Sequence, residues 1–395
     1  MCTICPLGST PASPSASSTW SRATDAMAAG EYLRLRALGA DHGDCLVIEY
    51  GDAERSFGVL IDGGTSGTVE RVRDILTDRP GVTWELLVVS HVDHDHIGGV
   101  LELLTDASLA QRFQDIWFNG RHHLEPTSQE SLSIEEGIAL AKRLADDKLP
   151  WNRAFGGEAV RLSDEGRPVK KCLDSGAKVT VVSPGLKQLR SLANLWDREV
   201  ARLAAKKAAE DAAREEAAKA LANPVPDGLE ALSAEGDGPL DIARLAAAST
   251  KLDGSAKNGS SIAFIFEFRG RSLLLTGDAH APVLVTAAAS LPEGVSASVE
   301  VLKLPHHGSA KNVTKALLKA FPAKSYVVST NGALHDHPDY EAIARVIHVC
   351  PKAQVFFNYD SIRAQRWLAE SKSDGRTFEV VVGSDDDGVV VEVLP

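Results

Sequence analysis

The residues best equipped for chemistry lie together in one short stretch, His91-Val92-Asp93-His94-Asp95-His96, directly behind the apolar run Leu86-Leu87-Val88-Val89. Side chains alternate along an extended chain, so His91, Asp93 and Asp95 would share one side while Val92 and His94 take the other. His96 would then enter at a turn, with Ile97-Gly98-Gly99 opening the next helix. Imidazoles and carboxylates that converge at the end of a buried strand suit a divalent cation such as zinc, manganese or iron. A histidine-rich surface loop is the plain alternative, but it needs neither the apolar strand in front nor the Gly-Gly pair behind. By parity His94 points away and is not expected to be a ligand.

Several elements must position this loop. Tyr32 to Leu38, Leu46 to Tyr50 and Val59 to Ile61 are short apolar or alternating runs bounded by Gly and Asp, the mark of strands. A helix is expected from Thr68 to Thr77, followed by the strand Leu86 to Ser90. Later strands are expected at Val179 to Val182, Ile262 to Phe268, Arg271 to Leu275, Val299 to Leu304, Tyr326 to Ser329 and Val355 to Phe357, with helical stretches between most of them. Strands alternating with helices, plus hairpins, predict an α/β sandwich of layers.

The chain is long enough for one large domain or two ordinary ones, and 44% hydrophobic residues in 395 supply a sizeable core. The net charge of −12 works against non-specific binding to long nucleic acid. Cys2, Cys5, Cys45, Cys172 and Cys350 form an odd, scattered set, which reads as reduced thiols and not as a disulfide framework. Cys2 and Cys5 make a lone C-x-x-C with nothing nearby to complete a zinc site. No apolar run is long enough to span a membrane, and no secretory signal opens the chain, so a soluble cytoplasmic protein is expected. Residues 1–27, rich in Ser, Pro, Thr and Ala, read as a disordered tail; Met27 suits a natural start better than Met1. The domain proper is expected over 28–395. Within it, 186–250 reads as a helical insertion, with Trp196 to Ala222 one long Ala/Glu/Lys-rich helix. That helix is either solvated or an arm for a protein partner or self-association.

Further motifs follow in order. Ser90-His91-x-Asp93-x-Asp95-His96-Ile97-Gly98-Gly99 resembles the metal motif of the metallo-β-lactamase superfamily. With Asp93 in place of a second histidine, it is similar to the hydrolase domain of the ComEC-type DNA-uptake competence family. Leu60-Ile61-Asp62-Gly63-Gly64 resembles the superfamily's first motif, whose Asp supports the metal loop from behind the ligands. Leu274-Leu275-Thr276-Gly277-Asp278 resembles the motif whose Asp bridges two metals; read alone, Asp278 would cap a helix at Ala281. Leu304-Pro305-His306-His307-Gly308-Ser309 resembles the segment that supplies a late histidine. One ligand suffices there, and the family pattern favours His307, leaving His306 to support the site or touch substrate. His335-Asp336-His337-Pro338 resembles the competence family's last motif. His280 is expected at the surface, and His122 and His123 in an ordinary loop.

The resemblance implies an αββα four-layer sandwich and a divalent-metal cofactor, one or two zinc ions with manganese as the alternative. Asp95, His96, Asp278 and His307 form one complete pocket. The other has His91, Asp93 and the bridging Asp278, because Asn258 stands where many superfamily members carry a histidine. The implied reaction is phosphodiester hydrolysis by metal-activated hydroxide, with Asp95 orienting the nucleophile and a protonated His337 donating to the phosphate. A nucleotide or nucleic acid would be the substrate. The rivals are a lactone, thioester or β-lactam hydrolase on the same ligands, and a metal-containing regulatory protein without turnover.

Overall fold

The computed structural model describes residues 30–124, 135–198 and 238–394. The expected N-terminal tail, and the expected long helix beyond residue 198, lie outside the described residues.

The described strands form two sheets. One is six-stranded: β1 (Tyr32–Ala37), β2 (Leu46–Gly51), β3 (Ser56–Ile61), β4 (Val82–Val88) and β5 (Phe113–Trp117) lie side by side, with β14 (Val389–Leu394) against β1. The other is eight-stranded, in sequence-reversed order: β6 (Val169–Cys172), β7 (Lys178–Ser183), β8 (Ala263–Phe268), β9 (Arg271–Leu275), β10 (Val299–Lys303), β11 (Ala323–Val328), β12 (Gln354–Phe357) and β13 (Glu379–Val382). Pairing is antiparallel from β14 through β3 and parallel from β3 to β5. In the second sheet it is antiparallel from β6 to β9 and parallel from β9 to β13.

Period-two alternation explains the layers. In β8, Phe264, Phe266 and Phe268 enter a core between the sheets, while Ala263 and Ile265 face helices outside. In β2, Leu46, Ile48 and Tyr50 enter the same inner core, and Val47 faces the opposite helical layer. Both faces of both sheets are therefore covered, and their strands read as continuous apolar runs. One outer layer holds the helices Val69–Thr77, His94–Leu103, Glu135–Asp146 and residues 186–198; the other holds Ile242–Ala247, Ala281–Ala288, Lys315–Ala320, Tyr340–Val349 and Ile362–Ser371. The expected αββα four-layer sandwich is the fold. No described helix is long and apolar enough to cross a membrane.

The first turns of the expected insertion pack against the sandwich. Residues 186–198 are helical and press Leu189, Leu192, Ala193 and Trp196 into the outer core of the first sheet, with Trp196 only 1% exposed. Those positions recur at helical spacing on one face, a stripe hidden by the Ala/Glu/Lys-rich composition that follows. Arg121 fixes the end of the helix through Asp197 at 2.9 Å. Trp196→Ala should therefore cost about 3–5 kcal/mol of stability, the usual range for emptying a buried aromatic site. Chemical denaturation would measure it; a change below about 1 kcal/mol, the size expected at exposed sites, would mean the helix is not part of the core.

Candidate metal centre

The centre lies where strand ends of the two sheets meet: the residues after β3 and β4 on one side, and those after β9, β10 and β11 on the other. After β3 the chain turns through Asp62 with a left-handed φ of 58°. Its backbone N–H donates to Val88 at 2.8 Å, which ties the turn to β4. The fully buried Asp62 carboxylate accepts from the Ser90 N–H at 2.6 Å, the Ser90 hydroxyl at 2.7 Å and His96 Nδ1 at 2.8 Å. A donating Nδ1 leaves His96 Nε2 as the lone-pair nitrogen, aimed into the centre. Two glycines allow this approach: a Cβ on Gly99 would lie 2.0 Å from the Gly63 carbonyl, and one on Gly63 would lie 2.5 Å from the Val100 nitrogen.

The loop is shorter than the extended reading supposes. The helix opens at His94, three residues before Ile97, with Asp93 as its extended N-cap residue. Alternation therefore holds through Asp93, and Asp95 and His96 project from the first helical turn. His94, at the start of the helix, points outward and pairs with Glu136 at 2.6 Å.

The expected ligands gather tightly. His96 Nε2 lies 3.3 Å from His307 Nε2, 3.5 Å from Asp278 Oδ1 and 3.8 Å from Asp95 Oδ2. His307 Nε2 lies 3.2 Å from Asp95 Oδ2 and 3.7 Å from Asp278 Oδ2. Its Nδ1 is 2.9 Å from the Ser329 carbonyl, which fixes this ring as Asp62 fixes His96. On the other side of Asp278, His91 Nε2 is 3.9 Å from Asp278 Oδ2 and 3.5 Å from Asp93 Oδ2. Asp93 keeps its other oxygen on Lys257 Nζ at 2.6 Å. Asp278 does not cap the helix at Ala281, whose N-cap residue is His280.

Sequence reasoning missed two residues here. Lys303 of β10 is fully buried and donates to the buried Asp44 carboxylate; Asp44 Oδ1 is 3.3 Å from His307 Nδ1, and its Oδ2 is 3.9 Å from His96 Nδ1. The available signal was a lysine inside an apolar strand leading into His306-His307, since such a cation must find a buried anion. Elsewhere, Asn258 donates to Asp253 Oδ2 at 2.9 Å, behind the centre. His280 is not a surface residue as expected: it is half-buried, with Nε2 3.7 Å from Asp253 Oδ2. His337 stands at the mouth, its ring 5.4 Å from that of His306 and its Nδ1 3.4 Å from Asp339 Oδ1.

The electrostatics follow from packing carboxylates against imidazoles. Burial would push the Asp95 carboxyl up, but His96 and His307 outweigh it and hold it far below its usual range. Burial opposes protonation of His307, yet Asp278, Asp44 and Asp95 raise it to about 10. Burial likewise works against Asp44 ionising, and Lys303 with His307 overcomes this to hold it at about 2.

The residues fit a divalent cation. Buried His91 Nε2 and Asp278 Oδ1 have no hydrogen-bond partner among the described residues, although both are oriented toward neighbouring donors of the set. Donors bound tetrahedrally at about 2.0–2.1 Å sit about 3.4 Å apart, close to the separations found here. His91, His96 and Asp278 form one group of compatible spacing; Asp44 also lies near His96 and His307, but on their Nδ1 side and paired with Lys303. Protons and a metal compete for these donors, so binding should release protons.

No protein-family model matches the chain, and no curated protein does. Solved structures resemble it loosely. Human tRNase Z, short form, is 12% identical over 92% of this chain and 100% of that one, with a TM-score of 0.40. The metallo-β-lactamase fold protein YhfI from Bacillus subtilis is 9% identical over 91% of this chain and 99% of that one, at 0.37. A variant of the CmlA β-hydroxylase is 12% identical over 92% of this chain and 54% of that one, at 0.35. These likenesses are too loose to carry an argument, and the architecture rests on the sheets and cores themselves.

Two outcomes test the centre. Lys303→Met leaves the Asp44 charge buried and uncompensated, which should cost about 3–5 kcal/mol in urea denaturation. Asp44 lies at about 2 in the fold against an ordinary 3.8, so its contribution is present above that ordinary value and is lost as the pH falls toward 2. Lys303→Met should flatten this acid limb. Separately, Asp278→Asn should lower metal content in elemental analysis more than Asp93→Asn, because Asp278 faces donors on both sides. Equal or reversed losses would contradict that shared position.

Proposed function

We propose that this chain is a metal-dependent hydrolase of the metallo-β-lactamase superfamily, similar to the ComEC-type competence hydrolases, and that it cleaves phosphodiesters in the cytoplasm. The domain would run over 28–395, with an insertion centred beyond residue 198. Asp95, His96, Asp278 and His307 would hold one cation, and His91, Asp93 and Asp278 would face a second; zinc and manganese both suit these donors. A bound cation would supply Lewis acidity, giving hydroxide near neutral pH and neutralising charge on phosphoryl oxygens.

The observation that supports the choice of substrate is the pair of more exposed nitrogen donors beside the cluster, Lys257 on Asp93 and His337 on Asp339. His91, His96, Asp278 and His307 have side chains at most 5% exposed, whereas Lys257 is 34%, its partner Asp93 29% and His337 13% exposed. With a cation bound between the carboxylates, an anionic ester would be drawn to these donors, and a neutral lactone would gain less from them. The overall negative charge favours a nucleotide or a short nucleic-acid end over a long duplex.

The protein's own groups would divide the work. Asp62 and the Ser329 carbonyl hold the His96 and His307 rings. Asp95, at the edge of the cluster, would accept a hydrogen bond from the attacking water and orient it. His337 would stabilise the leaving oxygen, but not as a standing cation. Burial, opposed by Asp339, lowers its pKa below the ordinary 6.5, so it rests neutral at pH 7. A phosphate anion beside it would raise that pKa and favour the protonated donor.

With manganese or zinc, an activated phosphodiester should be hydrolysed faster than an activated lactone or β-lactam. His337→Ala should lower turnover by about 10- to 1,000-fold at constant metal content, the range for removing a charge-stabilising donor. Loss of metal in that variant would make His337 a ligand. A wild-type preference for the lactone with every metal tested would overturn the phosphodiesterase reading.

A further inference from the structure

The second pocket has only three of the donors named so far, and the turn after β10 carries an imidazole that no role has yet absorbed. His306 and His307 both adopt left-handed backbone conformations, with φ of 50° and 53°. Consecutive residues of this kind are uncommon outside glycine and cluster at functional sites. Their effect here is to turn two neighbouring imidazoles toward one carboxylate: His306 Nε2 lies 3.8 Å and His307 Nε2 3.7 Å from Asp278 Oδ2.

Hydrogen bonds determine which His306 nitrogen carries the proton. Nδ1 is 3.0 Å from Asn312 Oδ1. Asn312 is fully buried, and its amide cannot be flipped without loss, because Nδ2 donates to Asp253 Oδ2 at 3.0 Å and to the Asp278 carbonyl at 3.1 Å. The amide oxygen therefore faces the ring, so Nδ1 is the donor and Nε2 keeps its lone pair. The Asn258 amide approaches Nδ1 only at 3.4 Å and already donates to Asp253 at 2.9 Å. A ring held through one nitrogen by an acceptor, with the other bare and facing carboxylate, is the arrangement of a metal-binding histidine.

Resting on the metal-hydrolase reading above, we infer that His306 is the fourth protein donor of the second pocket, with His91, Asp93 and Asp278, and that Asn312 is its positioning residue. One His-His turn then serves both pockets, each with two imidazoles and two carboxylates, and Asp278 is common to both. His306 thereby takes the place left by Asn258, which sits behind the ring and not in front of it. This revises the expectation that His306 only supports the site or touches substrate.

The test is a count of zinc per chain by elemental analysis, after loading the full-length protein and removing unbound metal. The wild type should hold two ions, His306→Ala one, and Asn312→Ala should weaken the second ion by about 10- to 100-fold, as loss of a ligand-orienting partner does. Cobalt loading gives an independent readout, since His306→Ala should remove the absorption added by the second equivalent and leave that of the first. If His306→Ala fails to fold, Asn312→Ala carries the test through the second-site affinity. Two ions in both wild type and His306→Ala, or an unchanged second-site affinity in Asn312→Ala, would overturn the inference. A single ion in the wild type would also overturn it while leaving the hydrolase reading intact. No metal in the wild type would overturn both.

Discussion

Taking carboxylates out of water is the constraint on which this structure depends. Asp44, Asp62 and Asp278 are almost fully buried in one small region. An isolated buried carboxylate is far too costly to keep ionised, so each needs donors or cations built around it. Asp44 has Lys303, Asp62 has Ser90 and His96, and Asp278 has the imidazoles of His91, His96, His306 and His307. Asp278 is distinguished by imidazoles that reach it from both sheets; its Oδ1, like Asp44 Oδ1, has no hydrogen-bond partner among the described residues.

The two sheets are needed together for this. The six-stranded sheet supplies Asp44, Asp62 and the His91–His96 loop, and the eight-stranded sheet supplies Asp278, Lys303, His306 and His307. Each sheet alone would expose half a charged cluster. The large inner core of Phe264, Phe266, Leu273, Leu46, Ile48 and Val88 sets their separation, so the donor spacing follows from close packing of side chains remote from the chemistry. The Lys303–Asp44 contact spans the same gap and ties the second sheet to the loop that also backs His96 and His307.

Much of this was legible in the sequence because the chemistry is concentrated in local motifs and the strands are continuous apolar runs. The His91–His96 cluster, Asp62, Asp278 and the His-His pair are brought together, and the edges of β9 were read to the residue. What escaped has physical causes. Asp93 is the N-cap residue of a helix that begins inside the motif, so Asp95 projects from a helical turn and not from the extended chain that strand parity assumes. The strands β5, β6, β13 and β14 are short, mixed in polarity or at sheet edges, and carry little periodic signal. Asp44 sits in a loop whose role depends on a contact far along the chain, with Lys303. The Ala/Glu/Lys-rich composition around Trp196 points to a solvated helix or an arm, and it masks the helical spacing of Leu189, Leu192 and Trp196.

The two sides of Asp278 differ in one respect that bears on how the proposed pockets would fill. Around His96 and His307, the nearest ammonium group, Lys303, is already spent on Asp44. Beside His91, Lys257 lies directly on Asp93 and is partly exposed. A cation entering that side must share Asp93 with an ammonium, and like charges a few ångströms apart repel even under solvent screening. The side of His96 and His307 should therefore bind first and more tightly, while the side of His91 fills later and is more sensitive to ionic strength. An anionic substrate of the proposed kind would reverse part of this penalty. A phosphate anion at the mouth would attract Lys257 and relieve its hold on Asp93, so binding of an anionic ester and filling of the weaker side favour one another.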